Sequence, residues 1–172
     1  TCHQIFVKIA RELGETVNFV RPEKLGMIYV DRVETNWPFR IMLPVGTHVP
    51  FHCTASGKTF LASLPKLRRK RMIKSLNLEA YTDQTHTTVE SLEAELQTIR
   101  RAGFALDREE FYNGMVAIAV PITDVTGRYF AALGCHGPVQ RFSLADAEAR
   151  KSLLLEAAAE ISASLFGSAL NK

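Results

Sequence analysis

Apolar residues at the start of the chain recur with the period of a helix. Ile5, Ile9 and Leu13 lie four residues apart, which places them on one face of a helix over residues 2–13. Gly14 follows at the position where a helix would stop. The chain is therefore expected to begin with an amphipathic helix.

Two groups of strands are predicted from segments rich in β-branched and aromatic residues. The first group comprises residues 16–20, 26–34 and 39–43. These segments are separated by 21–24 and 36–38, each of which contains a proline, and the prolines at 44 and 50 make 44–52 a loop. The second group comprises residues 104–107, 115–124 and 128–136, with the last two joined as a hairpin through 125–127.

Between the two strand groups the sequence predicts two or three helices. Thr54 can cap a helix that ends before Pro65, and a short helix is expected over residues 66–75. After a polar segment, Thr87 and Glu90 have capping-box spacing for a further helix.

Two more signals mark helix ends in the second half of the chain. Gly103 ends the helix that follows Thr87, and Ser143 with Asp146 starts the last helix. That last helix carries one apolar stripe: Leu154, Ala158, Ile161 and Leu165.

The order of these elements predicts an α+β domain in which helices pack around one antiparallel sheet. The 172 residues suffice for one compact domain and no repeat or low-complexity linker divides them, so residues 1–172 are expected to form a single domain. The composition, 47% hydrophobic and 23% charged, is that of an ordinary globular protein.

Charge and cysteine content exclude few functions. The formal net charge of +3 does not identify a nucleic-acid binder. Three cysteines without C-x-x-C spacing favour free thiols in a reducing cytoplasm over a disulfide framework. No apolar stretch approaches the roughly 20 residues that a membrane-spanning helix needs, and no secretory signal is visible, so a cytoplasmic protein is expected.

The segment Ser56–Thr59 reads Ser-Gly-Lys-Thr, like the end of a phosphate-binding loop. That loop needs a glycine where His52 stands, so nucleotide hydrolysis is rejected. A helix that begins at 54–57 nevertheless exposes main-chain N–H groups and the positive end of the helix dipole, which suit a carboxylate or a phosphate. On the pattern alone, an ordinary capped helix with small residues chosen for packing is the simpler interpretation.

The remaining polar clusters have structural explanations. Cys135 and His136 are strand neighbours that point to opposite faces, so they cannot act as a nucleophile and base, and no metal-binding spacing is present. Glu109 and Glu110 are assigned to the surface, whereas Asp107 is the acidic residue that could face a pocket. The basic residues of 66–71 are expected to form a solvated face and not a DNA site.

Four blocks of the sequence, in order, strongly resemble the effector domain of the isocitrate lyase regulator (IclR) family. The clearest runs from Leu43 to Ala62 and contains the Ser-Gly-Lys-Thr segment. The others are Glu12 to Phe19, Ile99 to Glu110 with Gly114 after it, and Ala119 to Asp124 leading to Gly127 and Gly137-Pro138.

The resemblance implies a GAF-like fold, an antiparallel sheet of about six strands with helices on either side. It implies a regulator that is not an enzyme and needs no cofactor, with a small organic acid as effector. It further implies a homodimer or homotetramer that binds operator DNA only through an N-terminal winged helix-turn-helix domain, which is absent from this chain.

The resemblance also assigns the ligand pocket. Ala55, Ser56 and Gly57 would hold the effector carboxylate through their N–H groups, and Asp107 would accept a hydrogen bond from an effector hydroxyl. The other positions match the apolar wall or sites that vary among relatives: Ile41, Val49, Met115, Ala117, Gly134 and His136.

The small residues at 117 and 134, with a donor at His136, lead to the hypothesis of an enlarged pocket for an aromatic or sugar-derived acid. Two alternatives stay open at this point. One is an enzyme that uses the thiol of Cys53 or Cys135, and the other is a dimerisation module that binds no ligand.

Overall fold

The computed structural model describes residues 2–38 and 43–167. Six strands form one antiparallel sheet in the order β3-β2-β1-β6-β5-β4. The strands are β1 (Thr16–Glu23), β2 (Gly26–Val33), β3 (His48–Val49), β4 (Ala105–Arg108), β5 (Met115–Thr123) and β6 (Tyr129–Pro138). The helices are α1 (Cys2–Leu13), α2 (Ala55–Ser63), α3 (Lys66–Ser75), α4 (Val89–Ala102), α5 (Leu144–Ala149) and α6 (Lys151–Phe166). The predicted α+β class and the six-stranded GAF-like sheet are confirmed.

Helices cover both faces of the sheet, and each face has its own apolar cluster. Successive residues of β5 point to opposite faces and so belong to different clusters. Val116 and Ile118 pack toward α1, α5 and α6. Met115 and Ala119 pack toward α2 and α4. A strand buried on both faces reads as a nearly continuous apolar run, which explains the sequence Met-Val-Ala-Ile-Ala-Val of β5. Within the described residues, none of the helices has the length and hydropathy needed to cross a lipid bilayer.

The first hairpin is longer than the sequence predicts. β1 continues through Pro22 to Glu23, where a separating segment was expected, and Pro22 pairs with Met27 of β2. Proline is tolerated here because the pairing of β1 with β6 ends at Val20, so beyond that residue β1 has a partner on one side only.

The segment before α2 also departs from the prediction. The expected strand 39–43 lies outside the described residues except for Leu43, which is irregular. The expected loop 44–52 contains β3, in which Val49 pairs with Met27. Gly26 allows this pairing, because a Cβ atom there would lie 2.5 Å from the Val49 carbonyl oxygen.

The helix ends follow the predicted capping chemistry with two corrections. Thr88, and not Thr87, caps α4, since its hydroxyl accepts a hydrogen bond from the N–H of Ser91 at 3.2 Å. The capping box of Ser143 and Asp146 is confirmed, but it starts the short helix α5, and the chain bends at Arg150 before α6 begins.

Gly57 holds α2 against the segment that precedes it. A Cβ atom on Gly57 would come within 2.7 Å of the Phe51 carbonyl carbon and closer still to its oxygen. Only a residue without a side chain permits this approach of two main-chain segments. The first turn of α2 is thereby fixed in position against the strand β3 and its loop.

Replacement of this glycine should therefore be costly. Gly57→Ala is expected to lower the free energy of unfolding by about 2 kcal/mol, because the backbone of residue 51 would have to move. Urea denaturation followed by circular dichroism would measure the change. Gly167→Ala is the matched control, since its Cβ would meet no atom within 4 Å, and equal effects of the two substitutions would contradict the packing role of Gly57.

Candidate ligand-binding site

A cavity lies between the N-terminal end of α2 and the sheet. About 30 Å³ of it is open to the centres of water-sized atoms, a few times the roughly 10–15 Å³ that one buried water requires. Its lining residues come from both halves of the chain: Asn18, Val20, Tyr29, Thr54, Ala55, Ser56, Asp107, Phe111, Met115, Ala117, Ile118, Ala119, Gly134, Cys135 and His136. This space suits a compact molecule.

The roof of the cavity is the first turn of α2. The hydroxyl of Thr54 caps the helix by accepting from the N–H of Gly57 at 3.1 Å, and the N–H of Lys58 bonds to the Thr54 carbonyl at 2.9 Å. In the part of the chain that the structure describes, the N–H groups of Ala55 and Ser56 donate to no protein acceptor, although both residues are buried. First-turn N–H groups point out of the helix end, so two unused donors and the positive end of the helix dipole meet the cavity.

Asp107 forms one side wall. It is 1% exposed, and its Oδ1 accepts from the N–H of Glu110 at 2.7 Å. Its Oδ2 has no hydrogen-bond partner among the described residues. Burial, followed by the nearby Glu110 carboxylate, raises the pKa of Asp107 to about 7. The carboxyl can therefore gain or lose a proton near neutral pH.

The floor between the side walls is made of small residues. Strand pairing sets Asp107 beside Ala117, and Ala117 beside His136. Two residues before His136 on β6, Gly134 pairs with Asn18 of β1. Two strand spacings separate Asp107 from His136, roughly 10 Å of backbone, and the short side chain between them leaves this width open.

Asn18 and His136 form the opposite wall. Both are buried, and the amide Nδ2 of Asn18 lies 2.9 Å from Nδ1 of His136. With the amide as donor, Nδ1 of the ring is the acceptor. Asn18 Oδ1 then points away from the ring, and it has no hydrogen-bond partner among the residues described.

Seven of the ten predicted ligand residues line this cavity: Ala55, Ser56, Asp107, Met115, Ala117, Gly134 and His136. Gly57 does not line it, since its N–H is bonded to Thr54 and it packs on Phe51. Val49 pairs with Met27 in β3 and is absent from the lining, and Ile41 lies outside the described residues.

Sequence reasoning missed several lining residues, of which Asn18, Tyr29 and Thr54 carry an amide or a hydroxyl group. Asn18 could have been found, because an asparagine is unusual in the middle of the apolar run Thr-Val-Asn-Phe-Val and needs a buried partner. Tyr29 gave no such signal, since tyrosine is common in strands. Burial raises the pKa of its hydroxyl, which therefore stays protonated.

A buried ion cluster lies behind the roof. Lys58 is fully buried, and its Nζ contacts Glu110 at 2.8 Å, Glu95 at 3.0 Å and the Leu106 carbonyl at 2.7 Å. The assignment of Glu110 to the surface is wrong, because this residue is 2% exposed. A buried carboxylate needs a partner, and the ammonium group of Lys58 supplies it.

The expectation of a fully solvated basic face on α3 is also wrong in one position. Arg69 is 2% exposed and binds Glu93 of α4 through Nε and Nη2, at 3.1 and 2.7 Å. The paired guanidinium joins α3 to α4. The basic run therefore contributes to packing as well as to the surface.

The described residues offer one group of potential metal ligands, His86, Glu95 and Glu110, whose ligand atoms lie within 4.8 Å of one another. Lys58 already contacts both carboxylates. A divalent cation there would be repelled by the adjacent ammonium group, so the cluster fits a structural ion pair better than a metal site.

The thiols offer little nucleophilic chemistry. Cys53 and Cys135 are buried, and desolvation raises the pKa of both. A neutral buried thiol is a poor nucleophile. The alternative of a thiol-dependent enzyme therefore receives no support from the environment of either cysteine.

Titration of Asp107 should be visible in the stability of the domain. The carboxyl has a pKa near 3.8 in an unfolded chain and about 7 in the fold. Between these values the folded protein holds a proton that the unfolded chain has lost, so the free energy of unfolding falls as pH rises, by roughly 1.4 kcal/mol per unit at most. Asp107→Asn removes this pH-dependent fall in the free energy of unfolding. Urea denaturation from pH 4 to pH 8 should therefore show that the variant gains stability relative to the parent protein as pH rises.

A matched control for this pH scan is Asp124→Asn. Asp124 is a partly exposed residue at the start of the hairpin turn, and its pKa is lowered to about 2, mainly by the hydroxyl of Thr126. Its carboxyl does not titrate in the window where Asp107 does. A parallel pH dependence in Asp107→Asn and the parent protein would show that the raised pKa is wrong.

Loss of the buried ammonium group should destabilise the domain strongly. Lys58→Met keeps the length of the side chain but leaves Glu110 buried without its partner, so the free energy of unfolding should fall by about 3–5 kcal/mol. Lys66→Met, at an exposed position of α3, should change it by less than about 0.5 kcal/mol. Part of the loss should be recovered in the double variant Lys58→Met with Glu110→Gln, and a double variant no more stable than the single one would argue against a charge effect.

Comparison with known proteins connects this geometry to one family. The family model described as bacterial transcriptional regulator IclR C-terminal matches residues 1–163. The chain is 39% identical over 142 residues to the probable transcriptional regulator SauR of Cupriavidus necator, covering 83% of this chain and 56% of that protein. It is 37% identical over 159 residues to the HTH-type transcriptional regulator BhcR of Paracoccus denitrificans, covering 92% and 56%.

The similarity extends to the Escherichia coli transcriptional repressor IclR, which is 29% identical over 161 residues, with 92% of this chain and 59% of that protein covered. The chain thus spans little more than half the length of these relatives. All three are named as transcriptional regulators and not as enzymes.

Solved structures show the same fold. IclR of Thermotoga maritima superposes with a TM-score of 0.88 at 33% identity, covering 95% of this chain and 66% of that chain. The C-terminal domain of KdgR from Escherichia coli superposes with a TM-score of 0.84 at 26% identity, covering 94% of both chains. The chain therefore belongs to the IclR family of bacterial transcriptional regulators, and it corresponds to the family's C-terminal domain.

Proposed function

We propose that this domain is the effector sensor of a transcription regulator and binds a small organic acid in the cavity under α2. The observation that carries the proposal is the convergence of two unused buried donors, the N–H groups of Ala55 and Ser56, with the unpartnered Oδ2 of Asp107. Buried polar groups without partners are rare in folded proteins and mark places where a ligand completes the hydrogen bonding. Donors at a helix start suit a carboxylate.

The size of the cavity narrows the class of acid. Space of about 30 Å³ for the centres of water-sized atoms suits a compact chain of a few non-hydrogen atoms. The effector is therefore a short aliphatic acid. Its carboxylate lies at the start of α2, and a hydroxyl group on it donates to Asp107.

The acid controls DNA binding that this chain does not itself perform. Two of the relatives are named as a helix-turn-helix regulator and a repressor, and this chain covers 56% and 59% of their lengths. We propose that a winged helix-turn-helix domain elsewhere in the protein contacts the operator. Helix-turn-helix proteins read paired half-sites as dimers, so the regulator is expected to be a homodimer or a homotetramer.

Coupling between the two domains is a population shift. The acid binds one arrangement of the subunits more tightly than the other, and this difference sets how the DNA-binding domains are spaced. Linkage then requires the acid to bind DNA-bound and DNA-free full-length regulator with different affinities.

The function is tested by deleting one proposed donor without disturbing the helix. Ala55 is the first residue of α2, a position where proline is favoured, and Thr54 has the extended conformation that proline requires of its predecessor (φ −116°, ψ 147°). A thermal-shift screen against short hydroxy and keto acids should give a concentration-dependent rise in Tm, because ligand at about 100 times its Kd adds roughly 2.7 kcal/mol of stability. Ala55→Pro should abolish that rise.

Lys66→Pro is the matched control, since residue 66 is the exposed first residue of α3 and also follows an extended residue, Pro65 (φ −55°, ψ 146°). It should keep the ligand-induced rise in Tm. Absence of any saturable rise in the parent protein would favour the alternative of a dimerisation module without a ligand, and an equal rise in Ala55→Pro would place the acid elsewhere.

A further inference from the structure

Two buried oxygen atoms in the cavity lack hydrogen-bond donors within the described residues, and they lie on opposite walls. One is Oδ2 of Asp107 on β4, and the other is Oδ1 of Asn18 on β1. Asn18 is 3% exposed and Asp107 is 1% exposed, so bulk water does not satisfy either atom. Oδ1 of Asn18 can only accept a hydrogen bond, and Oδ2 of Asp107 accepts one when the carboxyl is ionised, above its pKa of about 7. A donor that enters the cavity would supply the hydrogen bonds that these atoms lack.

The orientation of Asn18 is fixed by its neighbour. Its Nδ2 donates to Nδ1 of His136 at 2.9 Å, which turns Oδ1 away from the ring. Gly134 lies directly beside Asn18 on β6 and has no side chain to cover this atom. His136 thus holds the amide in position, and the glycine keeps the path to its oxygen clear.

The donor that these two acceptors require does not come from the carboxylate of the acid, which can only accept hydrogen bonds when ionised. The carboxylate is provided for by the N–H groups of Ala55 and Ser56. Donors must therefore lie on the carbon frame of the ligand, as hydroxyl or ammonium groups. A hydroxyl is favoured over an ammonium, because it adds no second charge to a buried cavity.

We propose that Asn18 is a specificity-determining residue of the pocket, which with Asp107 accepts hydrogen bonds from ligand hydroxyl groups and selects hydroxy acids over keto and amino acids of equal length. This rests on the proposed function, since it concerns the same cavity. When Asp107 is ionised, a keto acid would leave both oxygen atoms buried without donors, and an unmade hydrogen bond to a buried acceptor is costly. Acids with two hydroxyl groups satisfy both walls at once.

Four three-carbon acids test this in the domain itself. Glycerate carries two hydroxyl groups and lactate one, pyruvate has a carbonyl in place of the hydroxyl of lactate, and alanine has an ammonium group there. Calorimetric titration above the pKa of about 7 of Asp107, where its carboxyl is ionised, should rank their affinities in the order glycerate, lactate, pyruvate, with about a fivefold to tenfold step for each hydroxyl. Alanine should bind more weakly than lactate.

The role of Asn18 is tested by the ratio of affinities and not by affinity alone. Asn18→Leu keeps approximate size but removes the acceptor, so the preference for glycerate over pyruvate should shrink by about fivefold to tenfold. Asn18→Asp keeps an acceptor oxygen and should retain the preference even if all the acids bind more weakly. Thr59→Val is the control, because Thr59 is a buried polar residue of α2 outside the cavity lining, and it should leave the ratio unchanged.

The outcomes separate the two proposals. Saturable binding with equal affinities for glycerate, lactate and pyruvate, or with alanine the tightest, overturns hydroxyl selection while the acid-sensing function stands. An unchanged glycerate-to-pyruvate ratio in folded Asn18→Leu overturns the role of Asn18. Failure of all four acids to bind the parent protein, together with a silent thermal-shift screen, overturns the function itself and the inference with it.

Discussion

The arrangement of this domain depends on one buried ammonium group. Lys58 leaves α2 and reaches the carboxylates of Glu95 on α4 and Glu110 after β4, as well as the Leu106 carbonyl within β4. It thereby joins the helix that roofs the cavity to the strand that carries Asp107. Glu110 then acts on Asp107 in two ways: its N–H binds Oδ1, and its carboxylate helps to raise the pKa. The ion pair thus helps to fix the position of the wall residue, whereas burial is the main cause of its raised pKa and the Glu110 carboxylate adds to that effect.

Some polar atoms of the cavity walls form hydrogen bonds within the protein, and others have no partner among the described residues. Two polar wall residues use one atom to bind the protein and leave another without a partner among the described residues. Asp107 accepts from the Glu110 N–H through Oδ1 but not Oδ2, and Asn18 binds His136 through Nδ2 but not Oδ1. Residues held in this way lose little further freedom when a ligand binds. Pre-organisation of this kind reduces the entropic cost of association.

Much of the fold could be predicted from the sequence because its signals are local. The helical period of α1, the Ser-x-x-Asp capping box of α5 and the glycine that ends α4 each lie within a few residues of the structure they cause. The candidate site was predictable where the family motif covers it, around Ala55 and Ser56 and at Asp107. Asn18 was missed because strand alternation shows which face it occupies but not that a cavity lies there.

Buried charges were the least predictable feature, and the reason is physical. A carboxylate or guanidinium is expected at the surface unless an oppositely charged partner is known. Glu110 pairs with Lys58 of α2, and Arg69 pairs with Glu93 of α4, so each partner lies on a different segment of the chain. The boundary of β1 was misplaced for a related reason, since Pro22 is tolerated because the pairing of β1 with β6 ends at Val20. Buried ion pairs and strand pairings depend on contacts between segments that are distant in the sequence, so a local sequence pattern does not reveal them.

The strand order carries a consequence for how the protein is made. β1 pairs on one side with β2, which follows it at once, but on the other side with β6, so that Asn18 and His136 meet across 118 positions of chain. Chain closure of this length is slow, and domains emerge from the ribosome with their N-terminal end first. Until β6 arrives, one edge of β1 has no partner and the cavity does not exist. The proposed ligand pocket therefore exists only in a completed domain, and a chain that ends before β6 cannot form it.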